Sequence, residues 1–147
     1  MMKERFGKDC LIAIATTDGE RMHNRMVDAY YEDGVFYVTT GAMSGKMQQI
    51  ALHPDVAVCA IDWFSGHGIA RNRGWVLDPS NAEIRLKLRD AFAAWYDYAN
   101  DEQNPDCCIL EIQMTDGMLI KDHHTLRYRI DFTTKTATVS ENGGEYK

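Results

Sequence analysis

The sequence predicts a mainly β protein whose strands pair antiparallel and curl into a closed or half-closed barrel, accompanied by one long and one short α-helix. Three observations lead there. Runs of alternating apolar and polar residues recur along the chain. Asp-Gly pairs and short polar turns join those runs, as hairpins require. Helical periodicity is confined to two places, too few for a parallel sheet with a helix after most strands. The 147 residues are read as one domain, 1–147, long enough to bury a core.

Taken in order, "CLIAIATTDGERMHNRMVDAYYEDGVFYVTT" (10–40) reads as three strands joined by turns at Asp18-Gly19 and Asp33-Gly34. Ser44 then has the chemistry of an N-cap, and 46–52 reads as a short helix stopped by His53-Pro54. "VAVCAIDWF" (56–64) resumes the β pattern with Val56, Val58 and Ala60 on one face. Ser65-Gly66 and Gly68 mark a turn before a further strand over 69–77. The period then changes: Ile84, Leu88, Ala91, Phe92, Trp95 and Ala99 form the stripe of an amphipathic helix, with Ser80 and Glu83 as a capping box and an end near Asn100. "CCILEIQMTDGMLIKD" and "TLRYRIDF" alternate like strands, "TTKTATVS" is a weaker edge strand, and a loose tail is expected from Glu141. The expected total is six to eight strands.

Composition excludes several function classes. A hydrophobic content of 45% with 26% charged residues is that of a soluble globular protein. A net charge of −6 argues against a nucleic-acid partner, which needs clustered Lys and Arg. No stretch approaches the ~20 apolar residues of a membrane span, so no membrane partner is expected. The only early apolar run, 11–15, is too short and too acid-flanked for a secretory leader. Cys10, Cys59, Cys107 and Cys108 lack C-x-x-C spacing and are read as buried, reduced thiols of a cytoplasmic protein.

The stretch "VFYVTTGAMSGKMQQIALHP" (35–54) poses the functional question. It is not a nucleotide P-loop: Gly41 and Gly45 stand one residue too close, and Met47 occupies the place of the magnesium-binding hydroxyl. Phosphate binding survives that exclusion. Thr39 and Thr40 end a strand, Ser44 opens a helix, and Lys46 lies in its first turn, where free N–H groups and the helix dipole favour anions. On the neighbouring strand His23, Arg25 and Val27 share one face; an inward Arg25 needs a counter-charge, and a phosphate supplies one. The bland readings are that Ser44 caps, Lys46 is solvated and Arg25 makes a surface ion pair.

Taken together, the strand, the Asp-Gly turn, the strand bearing Arg25, the second Asp-Gly turn, "FYVTT", the Ser44-x-Lys46 helix start and "HPDVAV" resemble the FMN-binding split-barrel family typified by pyridoxamine 5′-phosphate oxidase. The resemblance is clear over 10–63; further on, Gly74, the long helix and "YRIDF" keep the expected order. It implies an antiparallel, Greek-key-like split β-barrel, an FMN cofactor, and a homodimer with FMN between the subunits. Carried across, Arg25 pairs with the phosphate or ribityl chain, and Met26 and Val27 offer backbone groups to the isoalloxazine edge. Thr39 and Thr40 bond ribityl or phosphate oxygens, while Ser44 and Lys46 hold the phosphate. Partner-subunit contributions are expected near 63–67 or from residues such as Arg127.

The resemblance also implies an oxidoreductase passing electrons from a reduced nicotinamide or similar donor to a small acceptor. A flavin carrier or redox sensor, or a haem or deazaflavin binder, is the alternative on the same barrel. The chain departs from the oxidase itself: Gly45 replaces a second basic residue, Arg21 stands where many members have proline, and the C-terminal basic cluster that grips the vitamin phosphate has no counterpart. Pyridoxamine phosphate oxidation is therefore not expected. No catalytic side chain is assigned, since the flavin carries the redox chemistry; His23 and His67 are the titratable candidates. No metal site is expected either, because His123 and His124 are adjacent in a strand and point to opposite faces.

Overall fold

The computed structural model describes residues 1–121 and 125–141; Asp122, His123, His124 and the tail from 142 lie outside them. Thirteen segments follow one another: α1 (Met2–Phe6), β1 (Cys10–Thr17), β2 (Met22–Glu32), β3 (Val35–Gly41), α2 (Gly45–Leu52), β4 (Asp55–Ala60), β5 (Phe64–Trp75), a 3₁₀ turn (Pro79–Asn81), α3 (Ala82–Ala91), α4 (Tyr96–Ala99), β6 (Cys107–Lys121), β7 (Leu126–Asp131) and β8 (Thr136–Glu141). The sheet runs β3-β2-β1-β4-β5-β6-β7-β8, and β3 also pairs with β6. That second pairing, from Val35↔Gln113 to Gly41↔Cys107, closes six strands into an antiparallel barrel. β7 and β8 continue as a wing from the later half of β6. The order β4-β1-β2-β3 is a Greek key, with α2 carrying the chain across one end of the barrel.

Strand alternation builds the core. Ile12, Ile14, Phe36, Val38, Val56, Val58, Phe64, Leu110 and Ile112 point inward and are buried. Met47 and Ile50 of α2 join them. A second cluster outside the barrel packs Ile84, Leu88, Phe92 and Tyr96 on Val76, Cys107 and Ile109. The short α1 had no periodic signal. It forms because Phe6 lodges among Phe36 and Phe64, with ring centroids 5.9 and 5.8 Å away.

Three expectations need correction. The turn expected at 65–68 is instead the start of β5, and the reversal falls at 61–63, where Trp63 takes φ 59°. The glycines serve a close crossing: a Cβ on Gly66 would lie 2.3 Å from the Asp116 carbonyl oxygen, and one on Gly117 2.5 Å from the Phe64 ring. The long helix stops after Ala91 and resumes as one turn at Tyr96. Phe92 and Trp95 stack at 4.6 Å across the break, and Glu102 gathers Arg85 (2.6 Å), Arg89 (2.9 Å) and the Tyr96 hydroxyl (3.0 Å). The capping box does not form either. Asp78 accepts from the Ser80 amide at 3.0 Å, while buried Asn81 turns its amide to the carbonyls of Arg73 and Trp75.

Candidate functional site

The barrel parts between β2 and β3. β1 follows β2 along its length, from Cys10↔Ala29 to Thr17↔Met22. β3 pairs with β2 only at Tyr30, Tyr31 and Glu32. Among the described residues the far edge of β2 from Met22 to Ala29 therefore lacks a strand partner, and alternate residues there turn N–H and C=O groups away from β1. Met26 and Val27 sit on this bare edge, Met26 52% exposed.

At the foot of the gap stand the residues that spacing singled out. Arg25 lies on the inward side of β2, where Nη1 donates to Thr16 Oγ1 at 2.9 Å and Nη2 to Gln49 Oε1 at 3.3 Å; the Thr16 hydroxyl in turn donates to Gln49 Oε1. Lys46, in the first turn of α2, is 8% exposed. Its Nζ donates to Thr40 Oγ1 and, at 3.4 Å, to Ser44 Oγ. Ser44 holds the N-cap place with extended backbone (φ −64°, ψ 156°), yet its hydroxyl makes no capping bond. The cap hydroxyl is turned to the lysine instead.

Charge is what distinguishes this corner. Burial lowers the pKa of Lys46, and the neighbouring Arg25 lowers it further; burial likewise lowers that of Arg25. Among the described residues no carboxylate acts on either cation. The Asp106 carboxylate is engaged in the backbone: Oδ1 accepts the Met43 amide at 3.0 Å, fixing the turn before α2. Cys108, the cross-strand partner of Thr40, stays a neutral thiol, pushed up to about 11 by burial. A buried and a part-buried cation held together with no carboxylate between them are costly in an empty protein and favourable around an anion.

The geometry thus brings Arg25, Thr40, Ser44 and Lys46 to one corner and sets Met26 and Val27 on the open edge above it. Thr39 faces the other way: its buried hydroxyl has no hydrogen-bond partner among the described residues and borders a cleft with Trp95 and Asn100. Three contributors were not foreseen. Thr16 was legible as the polar member of the inward Ile12, Ile14, Thr16 row. Gln49 was legible as the residue three positions after Lys46 on one helix face. Asp106, distant in sequence, left no local signal.

Fold and corner define a class, the antiparallel split barrel with two clustered cations where two strands part. No protein-family model matches the chain, and no curated protein sequence does. Solved structures do. A pyridoxamine 5′-phosphate oxidase-related, FMN-binding protein from Nostoc punctiforme superposes with a TM-score of 0.56 at 16% identity, covering 96% of this chain and 88% of that one. General Stress Protein 26 from Bacillus anthracis gives 0.61 at 18% identity, covering 79% and 88%. The haem storage protein HutZ from Vibrio cholerae gives 0.64 at 13%, covering 77% and 87%. The chain has the fold of the pyridoxamine 5′-phosphate oxidase-like split barrels. Among the described residues no helix is long and apolar enough to cross a membrane.

Proposed function

We propose that the chain is an FMN-binding flavoprotein, an oxidoreductase that passes electrons from a reduced nicotinamide or similar donor to a small acceptor. One observation carries this: Arg25 and Lys46 share a corner without a carboxylate, flanked by the hydroxyls of Thr16, Thr40 and Ser44. A phosphate monoester has the charge and the acceptor oxygens to satisfy that set. The bare edge of β2 beside it suits a flat ring system carrying amide-like groups, and an FMN-binding protein shares the fold. Arg25 and Lys46 would hold the phosphate with Thr40 and Ser44, and Met26 and Val27 would meet the ring edge through their backbones. Bound flavin supplies hydride and single-electron chemistry; the protein positions it and limits the access of water.

The cofactor would lie between two copies of the chain. Met22 (68% exposed) and Met26 (52%) lie on β2 and Met43 (72%) in the turn before α2, exposed apolar residues suited to burial in a homodimer. Four free thiols fit a reducing cytoplasm. The test is the visible spectrum of the purified protein followed by titration with FMN and with haem. Flavin bands, or stoichiometric FMN uptake with a doubled mass in solution, are expected. Protein that ignores FMN overturns the reading, and a Soret band from endogenous cofactor replaces it with the haem-binding alternative.

A further inference from the structure

Apart from tyrosines and thiols, the polar side chains buried among the described residues are Thr16, Lys46 and Asn81. Two of them meet at the cation corner. Asn81 shows what such a group ordinarily does. Its amide nitrogen donates to the carbonyls of Arg73 and Trp75, and its oxygen accepts Arg73 Nε at 3.0 Å. It thereby satisfies backbone groups that would otherwise be buried without partners. Thr16 serves no backbone group among the described residues. Its hydroxyl bonds two side chains, accepting from Arg25 Nη1 at 2.9 Å and donating to Gln49 Oε1. A buried hydroxyl that the backbone does not need is explained by the side chains it holds.

Those side chains form a closed triangle. Gln49 Oε1 receives the Thr16 hydroxyl and, at 3.3 Å, Arg25 Nη2, which fills both lone pairs of the amide oxygen. The guanidinium is gripped at both terminal nitrogens and keeps its remaining N–H donors. Both acceptors in the grip are neutral. A carboxylate in place of Gln49 would bind the guanidinium harder and cancel its charge, whereas the amide orients it and leaves the charge available. Gln49 also lies three residues after Lys46 on α2. One helix face therefore carries the ammonium and the group that aims the guanidinium.

We infer that Thr16 and Gln49 are positioning residues, which hold the Arg25 guanidinium beside Lys46 in the orientation an oxyanion requires, before the anion arrives. This role rests on the flavin reading for its natural ligand, while the grip itself is present in the free protein. Ordering a long side chain in advance removes that entropy loss from the binding step, roughly threefold to tenfold in affinity for one such side chain. Neither residue needs to touch the ligand to have this effect.

Two substitutions separate grip from charge. Gln49→Met removes the amide at similar length, and Gln49→Glu keeps an acceptor while adding a negative charge. Nitrogen NMR of arginine-labelled free protein reads rotation of the Arg25 guanidinium, which should be slow in the wild type and in Gln49→Glu and fast in Gln49→Met. By fluorescence titration Gln49→Met should bind FMN roughly threefold to tenfold more weakly, and Gln49→Glu at least about a hundredfold more weakly, because its carboxylate meets the phosphate. Riboflavin should bind all three alike. Thr16→Val should reproduce Gln49→Met, and Thr16→Ser should retain both the slow rotation and the affinity. Packing alone would give the opposite order, since valine fills the space of threonine and serine does not. Equal FMN affinity in the wild type and Gln49→Met, or free rotation of Arg25 in the wild type, overturns the positioning role and leaves the flavin reading intact. A wild type that ignores FMN yet binds inorganic phosphate through Gln49 keeps the positioning role and overturns the flavin reading. A wild type that binds neither overturns both.

Discussion

Replacing Lys46 with methionine should act in opposite directions on the free and the liganded protein. Methionine keeps an unbranched chain of similar length and removes only the charge. In the complex with FMN the lost ammonium–phosphate contact is charge-assisted, worth about 1.5–3 kcal/mol. At about 1.4 kcal/mol per decade, the Kd rises roughly tenfold to a hundredfold. In the free protein the ammonium is already disfavoured by its burial and by Arg25. Its removal relieves that cost, which offsets loss of the charge-assisted bond to Thr40, itself worth about 1.5–3 kcal/mol. The thermal midpoint of the cofactor-free variant should therefore match or exceed that of the wild type. Flavin fluorescence quenching measures the first effect and thermal melts the second. Riboflavin, which lacks the phosphate, should bind both proteins equally. Unchanged FMN affinity would refute the assigned seat, and a cofactor-free midpoint several degrees lower would make Lys46 a structural residue.

Two further perturbations probe the scaffold. The Asp28 carboxyl is pushed up to about 6 from 3.8, first by burial and then by its hydrogen bond to Asp9. The folded state thus holds a proton that the unfolded chain releases, and the stability this gives is present below about pH 4 and lost as pH rises through 6. Asp28→Asn should therefore stabilise at pH 7 by roughly 1 kcal/mol after solvent screening, about 2–4 °C in midpoint, and do nothing at pH 4; equal gains at both pH values would deny the shared proton. Gly66→Ala forces a methyl to within 2.3 Å of the Asp116 carbonyl, an overpacking worth about 1–3 kcal/mol; a urea midpoint identical to that of the wild type would show a looser crossing of β5 and β6.

Much of this architecture was legible because local chemistry and global fold agree. Asp33-Gly34 adopts φ 48° and 85°, the geometry of the tight turn it signalled, and the inward row Val56, Val58, Ala60 is buried as alternation required. Reading failed where a distant contact outweighed a local signal. Gly66 and Gly68 have the composition of a turn, yet the residues that demand glycine there belong to β6. Ser80 and Glu83 have capping spacing, but the neighbouring Asp78 takes the Ser80 amide first. At the site, Ser44 and Lys46 were visible through their helix and Arg25 through its strand. That all three converge, and that Asp106 fixes the turn before α2, depends on the β3–β6 pairing, which no short window contains.

That same closure sets a timetable for the nascent chain. Val35 emerges long before Gln113, its partner across the seam; at cellular elongation rates the interval is roughly 4–15 s. For that time one flank of β3, bearing Phe36 and Val38, has nothing to pair with, and contacts so remote in sequence form slowly once available. Protection of this flank by a chaperone or by the ribosome surface is the condition under which the hoop can be fastened before neighbouring chains find it.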